Sequence, residues 1–255
     1  MSLHLARRAP ERARRELVTT WAIALALLVA AKGLAMVEPT GQLSGNLAGV
    51  AAFLFVVLPE RRIHAEGERW ADFGLPWAGW RSAATWRAWA RGLGFAAATC
   101  AVVFPLFFVG FWAYGLLLPA LPSWLAGHLA PYAFPHPPRF RLPHRFPLLV
   151  LVQVLVVALP EELFYRGWMQ TTWAATRPGR RLRVLGASLG SGFLATQALF
   201  AVGHLVVLQA WRLGTFFPGL LFGWLRERTG GLAAPVLFHA LSNLFLAVLE
   251  ATFYG

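Results

Sequence analysis

Glu161 and Glu162 stand side by side in the run Leu159-Pro160-Glu161-Glu162-Leu163-Phe164-Tyr165-Arg166-Gly167, and no other acidic residue occurs between Asp72 and this pair. A charge at mid-membrane depth costs at least ~2.5 kcal/mol and is kept only where it faces a partner or a water-filled cavity. Glu162 and Arg166 are four residues apart, so on a helix they share a face and can pair. Glu161 is turned about 100° from Glu162, which frees it for acid–base chemistry. Two further groups lie downstream. Phe200-Ala201-Val202-Gly203-His204 puts an imidazole in an apolar helix, and His239 and Asn243, four apart, share a face and can both donate hydrogen bonds. Each has a plainer reading: a Glu–Arg pair at a wet helix end, a hydrogen-bonded interior histidine, or polar glue between helices.

The elements that must carry these residues are membrane spans. Hydrophobic residues make up 58% of the 255-residue chain and charged residues 13%, against about 25% charged in soluble domains. Apolar windows fall at Val18 to Val37, Leu43 to Leu58, Leu93 to Leu118, Phe146 to Trp173, Val184 to Gln209, Leu213 to Leu225 and Leu232 to Phe253. The expected fold is therefore an all-α polytopic transmembrane helix bundle of about seven spans, within a range of six to eight. The sixth window is short for a ~30 Å core. Counted at 1.5 Å per residue, Glu161 lies roughly 20 Å below the outer end of its window. His204 lies about 26 Å from the inner end of its own, and Asn243 about 16 Å from the inner end of the last. Three windows thus bring polar residues to one depth.

The net charge of +12 would suggest nucleic acid in a soluble chain. Here the arginines flank apolar runs, as membrane spans require, and nucleic-acid binding is set aside. Arginine-rich segments at the start (Arg7, Arg8, Arg12, Arg14, Arg15), at residues 60–91, at Arg177, Arg180, Arg181 and Arg183, and at Arg226 and Arg228 predict a cytoplasmic N-terminus and an outer C-terminus. Arg139, Arg141 and Arg145, in an outer loop, run against that rule. The same loop holds Pro131, Pro135, Pro137, Pro138 and Pro143, which exclude a continuous helix, and is expected over the outer mouth of the bundle. Trp70, Trp77, Trp80, Trp86 and Trp89, among Arg81, Arg87 and Arg91, suit the headgroup zone. The loop divides the chain into an N-terminal membrane region, 1–145, with three spans, and a four-helix core, 146–255, that carries the chemistry. The only cysteine, Cys100, rules out an intrachain disulfide and a cysteine-ligated zinc.

Rival peptidase chemistries find no support. His-Glu-x-x-His is absent, Asp72 is the only aspartate, and Ser191 sits between Gly190 and Gly192, flanks that suit close helix packing. The ordered set Glu161-Glu162-x-x-x-Arg166, Phe200-x-x-x-His204 and His239-x-x-x-Asn243 resembles the CPBP family, the CAAX-protease and bacteriocin-processing intramembrane endopeptidases, over about residues 146 to 254. The resemblance implies a glutamic-type peptidase without a cofactor. Glu161 with His204 would activate water, His239 and Asn243 would stabilise the oxyanion, and Glu162 and Arg166 would support the first glutamate's helix. Partners implied are the lipid bilayer and a membrane-protein or lipidated-protein substrate, cut at a sorting tail or a leader. The Arg- and Ala-rich composition points to a bacterial inner membrane. Two alternatives remain open: a zinc site built on His204, His239 and a glutamate, and a transporter-type proton relay or a non-catalytic scaffold or immunity protein. Nothing in the sequence bears on oligomeric state.

Overall fold

The computed structural model describes residues 9–129, 137–176 and 179–254. Arg7, Arg8, Pro131, Pro135 and Arg177, named above, lie outside the described residues. Seven principal helices follow the seven windows: α1 (Pro10–Val37), α2 (Leu47–Ala65), α3 (Ala83–Leu117), α4 (Phe146–Thr176), α5 (Ser191–Gly203), α6 (Phe216–Thr229) and α7 (Ala233–Tyr254). Among the described residues, four are long and apolar enough to cross a membrane: Pro10–Val37, Ala83–Ala120, Phe146–Thr176 and Ala233–Tyr254. The other three fall short for identifiable reasons. The apolar part of α2 ends at Leu58, before Glu60, Arg61 and Arg62. Helices α5 and α6, at 13 and 14 residues, reach only about 20 Å.

The window from Val184 to Gln209 is not one helix. Its first residues form an antiparallel hairpin of β1 (Leu182–Val184) and β2 (Ala187–Leu189), with Val184 opposite Ala187. The turn residues Leu185 and Gly186 have φ of 47° and 83°, the left-handed pair of a type I′ turn, whose twist matches the strands. A Cβ at Gly186 would also stand 2.8 Å from Arg228 Nε and push that side chain aside. The Trp224 indole donates to the Val184 carbonyl at 3.0 Å and fastens the hairpin to α6. The depth set for His204 is corrected accordingly: α5 begins at Ser191, and His204 sits at its C-terminal end.

Helix α4 departs from regular geometry on both sides of the glutamates. Pro160 lacks an N–H and crowds the carbonyl four residues back, and the preceding residues, Gln153–Ala158, are π-helical. Leu163–Met169 form a second π-stretch. Such widened turns concentrate at functional positions. The core beside them is aromatic: Phe73, Phe164, Trp168, Phe200, Phe222 and Phe238 are all buried. By contrast Val29, Leu34 and Met36 of α1 and Val102, Leu106, Val109 and Leu116 of α3 are exposed. Apolar surface of that extent calls for hydrocarbon around it.

The tryptophan-rich segment splits in two. Trp77, Trp80 and Trp86 are exposed, as a headgroup layer requires, whereas Phe73 is fully buried and Trp70 packs edge-on against it. Arg226 of α6 donates to the Phe73 carbonyl at 3.2 Å and to Thr171 Oγ1 at 3.0 Å, and the Leu232 N–H donates to the Gly74 carbonyl at 2.8 Å. At the other end, the N–H groups of Arg139 and Arg141 donate to the carbonyl and hydroxyl of Thr252. The described part of the proline-rich loop is thereby fastened to the end of α7.

The approach of α3 to α7 depends on Gly92, where a Cβ would lie 2.5 Å from Ala233 Cβ and 2.8 Å from its carbonyl carbon. Backbone cannot yield as a flexible side chain does, so Gly92→Ala is expected to cost about 1–3 kcal/mol by overpacking. Gly94, with nothing within 4 Å of the place a methyl would take, is the control, since Gly→Ala in an open helix is neutral or favourable. Thermal unfolding midpoints of the two variants in detergent should separate, and coincident midpoints would contradict the packing argument.

Candidate active site

Helix α4 supplies both glutamates. Glu162 has no exposed surface, and its Oε1 accepts from Arg166 Nη1 at 2.9 Å and from His239 Nδ1 at 2.9 Å. Arg166 is equally buried, and its Nη2 donates to Gln197 Oε1 at 2.8 Å and to the Gly219 carbonyl at 3.2 Å. Its guanidinium lies over the Phe200 ring at 4.1 Å and the Phe222 ring at 5.0 Å, faces that attract a desolvated cation. The wet-helix-end reading of this pair is therefore excluded by burial. Glu161 points elsewhere, as the helical angle requires. Its side chain is 17% exposed, and Oε2 is buried without a hydrogen-bond partner, 4.0 Å from His239 Nε2.

His239 thus stands between the two carboxylates, held flat against Phe222 with ring centroids 4.4 Å apart and planes at 15°. Asn243, one turn further along α7, donates from Nδ2 to Gln153 Oε1 at 2.8 Å. His204 is half-buried. Its Nδ1 lies 2.8 Å from the Phe200 carbonyl, and its ring meets Phe200 edge-on at 4.5 Å. A carbonyl only accepts, so Nδ1 carries the proton and Nε2 is the basic nitrogen of the neutral ring. The structure joins Glu161, Glu162, Arg166 and His239 directly. His204 is brought near through Phe200, which also stands edge-on to His239 at 6.2 Å, and it makes no direct hydrogen bond to either glutamate.

Several residues of this arrangement were not singled out in the sequence. Gln197 Nε2 donates to Gln170 Oε1 at 3.0 Å, and Gln170 Nε2 donates to the Gly223 carbonyl at 3.1 Å and to Glu227 Oε1 at 3.0 Å. A buried chain of polar groups therefore runs from Glu162 through Arg166, Gln197 and Gln170 to Glu227, which meets Arg181 at 2.9 Å. Helix α6 makes room for it with Gly219 and Gly223, four residues apart. A Cβ at Gly223 would stand 2.5 Å from Gln197 Nε2 and 2.9 Å from Gln170 Oε1. The signals available were the Gly-x-x-x-Gly spacing and three amides in apolar helices.

The zinc reading needs His204, His239 and a glutamate around one point. Among the described residues no three His, Cys, Asp or Glu side chains gather in that way, while His239 Nδ1 bonded to Glu162 leaves its Nε2 open.

The fold and site define a helical integral membrane protein with a buried cluster of carboxylates, imidazole and guanidinium. Residues 143–245 match the family model described as Type II CAAX prenyl endopeptidase Rce1-like, in agreement with the CAAX-protease resemblance carried by the three motifs. No curated protein and no solved structure matches the chain.

Proposed function

We propose that the protein is a glutamic-type intramembrane endopeptidase that hydrolyses a peptide bond in or beside a transmembrane segment of another protein. The observation that carries this reading is the buried Oε2 of Glu161, which makes no hydrogen bond and lies at ion-pair distance, 4.0 Å, from Nε2 of His239. A carboxylate so left is ready to receive a water's proton.

Charge bookkeeping supports the roles. Glu162, ionised beside Arg166, can only accept, so His239 Nδ1 carries a proton, and Nε2 donates only if the ring is an imidazolium. With Glu161, Glu162, Arg166 and His239 all ionised the cluster is neutral, which suits a water-poor interior. Glu161 takes a proton from water as its oxygen attacks the scissile carbonyl carbon. His204 Nε2 is the water's second anchor. The oxyanion is met by His239 and Asn243 as donors. Glu161 then returns the proton to the amide nitrogen as the C–N bond breaks, releasing a carboxylate and an amine. Glu162 and Arg166 hold His239 from behind.

The substrate class supported by the bacterial-looking composition is a membrane protein with a C-terminal sorting tail or a leader. The test is co-expression with tagged single-span candidates of both kinds, comparing wild type with Glu161→Gln by gel shift. A shortened product made equally by both would remove Glu161 from the chemistry.

The orientation we infer from the arginine flanks is an inner N-terminus and outer C-terminus in a bacterial inner membrane. Reporter fusions after Tyr254 and within residues 60–90 should report opposite sides, and the same side for both would refute it.

A further inference from the structure

We propose that Gln153 is a positioning residue for this site, fixing the carboxamide of Asn243 so that its second amide hydrogen points at the developing oxyanion. This rests on the peptidase reading above and extends it to a residue that none of the three motifs contains. The carboxamide of asparagine has two N–H donors. One is taken by Gln153 Oε1 at 2.8 Å, and this contact limits rotation of the amide plane, leaving the other hydrogen in a set direction.

The helix geometry explains how Gln153 comes to be there. Eight residues of α-helix separate Gln153 from Glu161, which puts them about 80° out of phase. The π-stretch Gln153–Ala158 takes up extra residues per turn and turns Gln153 toward α7, the helix that Glu162 also meets. Helices α4 and α7 are thus joined by two rungs, Glu162 to His239 and Gln153 to Asn243. Between them pack Ala158 and Ala240, at 0% and 1% exposure, so the helices approach closely and the rungs are short. The lower rung sets the ring of His239. The upper rung sets the amide of Asn243, four residues along the same face. A pair of donors held at both ends needs little reorganisation when charge develops between them.

Interhelical glue would make the same contact, so the test must read more than stability. On a substrate identified by co-expression, Gln153→Met, which keeps length but has no acceptor of comparable strength, is expected to lower kcat about 10-fold or more with KM within about twofold. Gln153→Glu retains an oxygen acceptor at the same reach and should recover most of kcat. In an Asn243→Ala background, Gln153→Met should have no further effect on kcat, because the group it orients is gone. If Gln153→Met does not accumulate in the membrane, Gln153→Leu takes its place in the same comparisons. A kcat unchanged by loss of the acceptor, or reduced equally with and without Asn243, would overturn the positioning role. The peptidase reading fails separately: Asn243→Ala alone should lower kcat about 10²–10³-fold, and an unaffected kcat there would discard the oxyanion assignment together with its support.

Discussion

Arg166→Ala is expected to remove most of the protein from the membrane fraction, not merely to inactivate it. The guanidinium is fully buried and answers Glu162, Gln197 and the Gly219 carbonyl at once. Its loss leaves a carboxylate without its counter-charge in a dry interior, a defect worth about 3–5 kcal/mol. That is a large part of the 5–15 kcal/mol typical of a folded domain. Glu162→Gln combined with Arg166→Met should accumulate better than Arg166→Ala alone. The amide oxygen of the new glutamine can still accept from His239, and methionine fills part of the space against Phe200 and Phe222. Recovery should stay partial, since Gln197 and the Gly219 carbonyl lose a donor at about 1–3 kcal/mol each. Immunoblots of membrane fractions measure this directly. Equal levels for the wild type and both variants would mean that the pair is solvated, contrary to its burial.

Glu161→Gln is expected to do the opposite, with normal accumulation and no cleavage. The change keeps the side chain's size at a partly exposed position but removes the base, and general base catalysis contributes about 10²–10⁴-fold. His204→Ala should approach the same loss, because the water is left with one anchor. A strong, membrane-accessible chelator should leave wild-type activity unchanged. Stoichiometric zinc in the purified protein, with activity that follows its removal and return, would sink the glutamic assignment while keeping attention on the same residues.

The long apolar helices and the charged members of the site were legible because charge is conspicuous in an apolar run. Glu162 and Arg166 pair as their spacing requires, and His239 and Asn243 lie on one face. The hairpin at Leu182–Leu189 was hidden, since hydropathy does not distinguish a strand from a helix and only Gly186 marked the turn. The start of α3 at Ala83 precedes its apolar window because tryptophan and arginine continue a helix without raising hydropathy. Gln153, Gln170 and Gln197 escaped notice for a different reason. Uncharged amides in helices are inconspicuous one at a time, and the meeting of Gln170 with Gln197 depends on how closely Gly219 and Gly223 let α6 approach α4 and α5.

The burial of Phe73 beneath Arg226 bears on how the chain is made. The two contacting residues are 153 apart in sequence, so during synthesis the turn at Trp70–Phe73 is completed long before its binding site exists. That turn can pack against the Leu163–Met169 stretch of α4 first, and is closed over only when α6 and the start of α7 arrive. Contacts of such long sequence separation form late. The Trp70–Gly74 loop therefore reaches its final setting only as the last two helices are inserted, and a ribosome stalled before Arg226 would leave a chain in which the carbonyls of Phe73 and Gly74 still lack these donors.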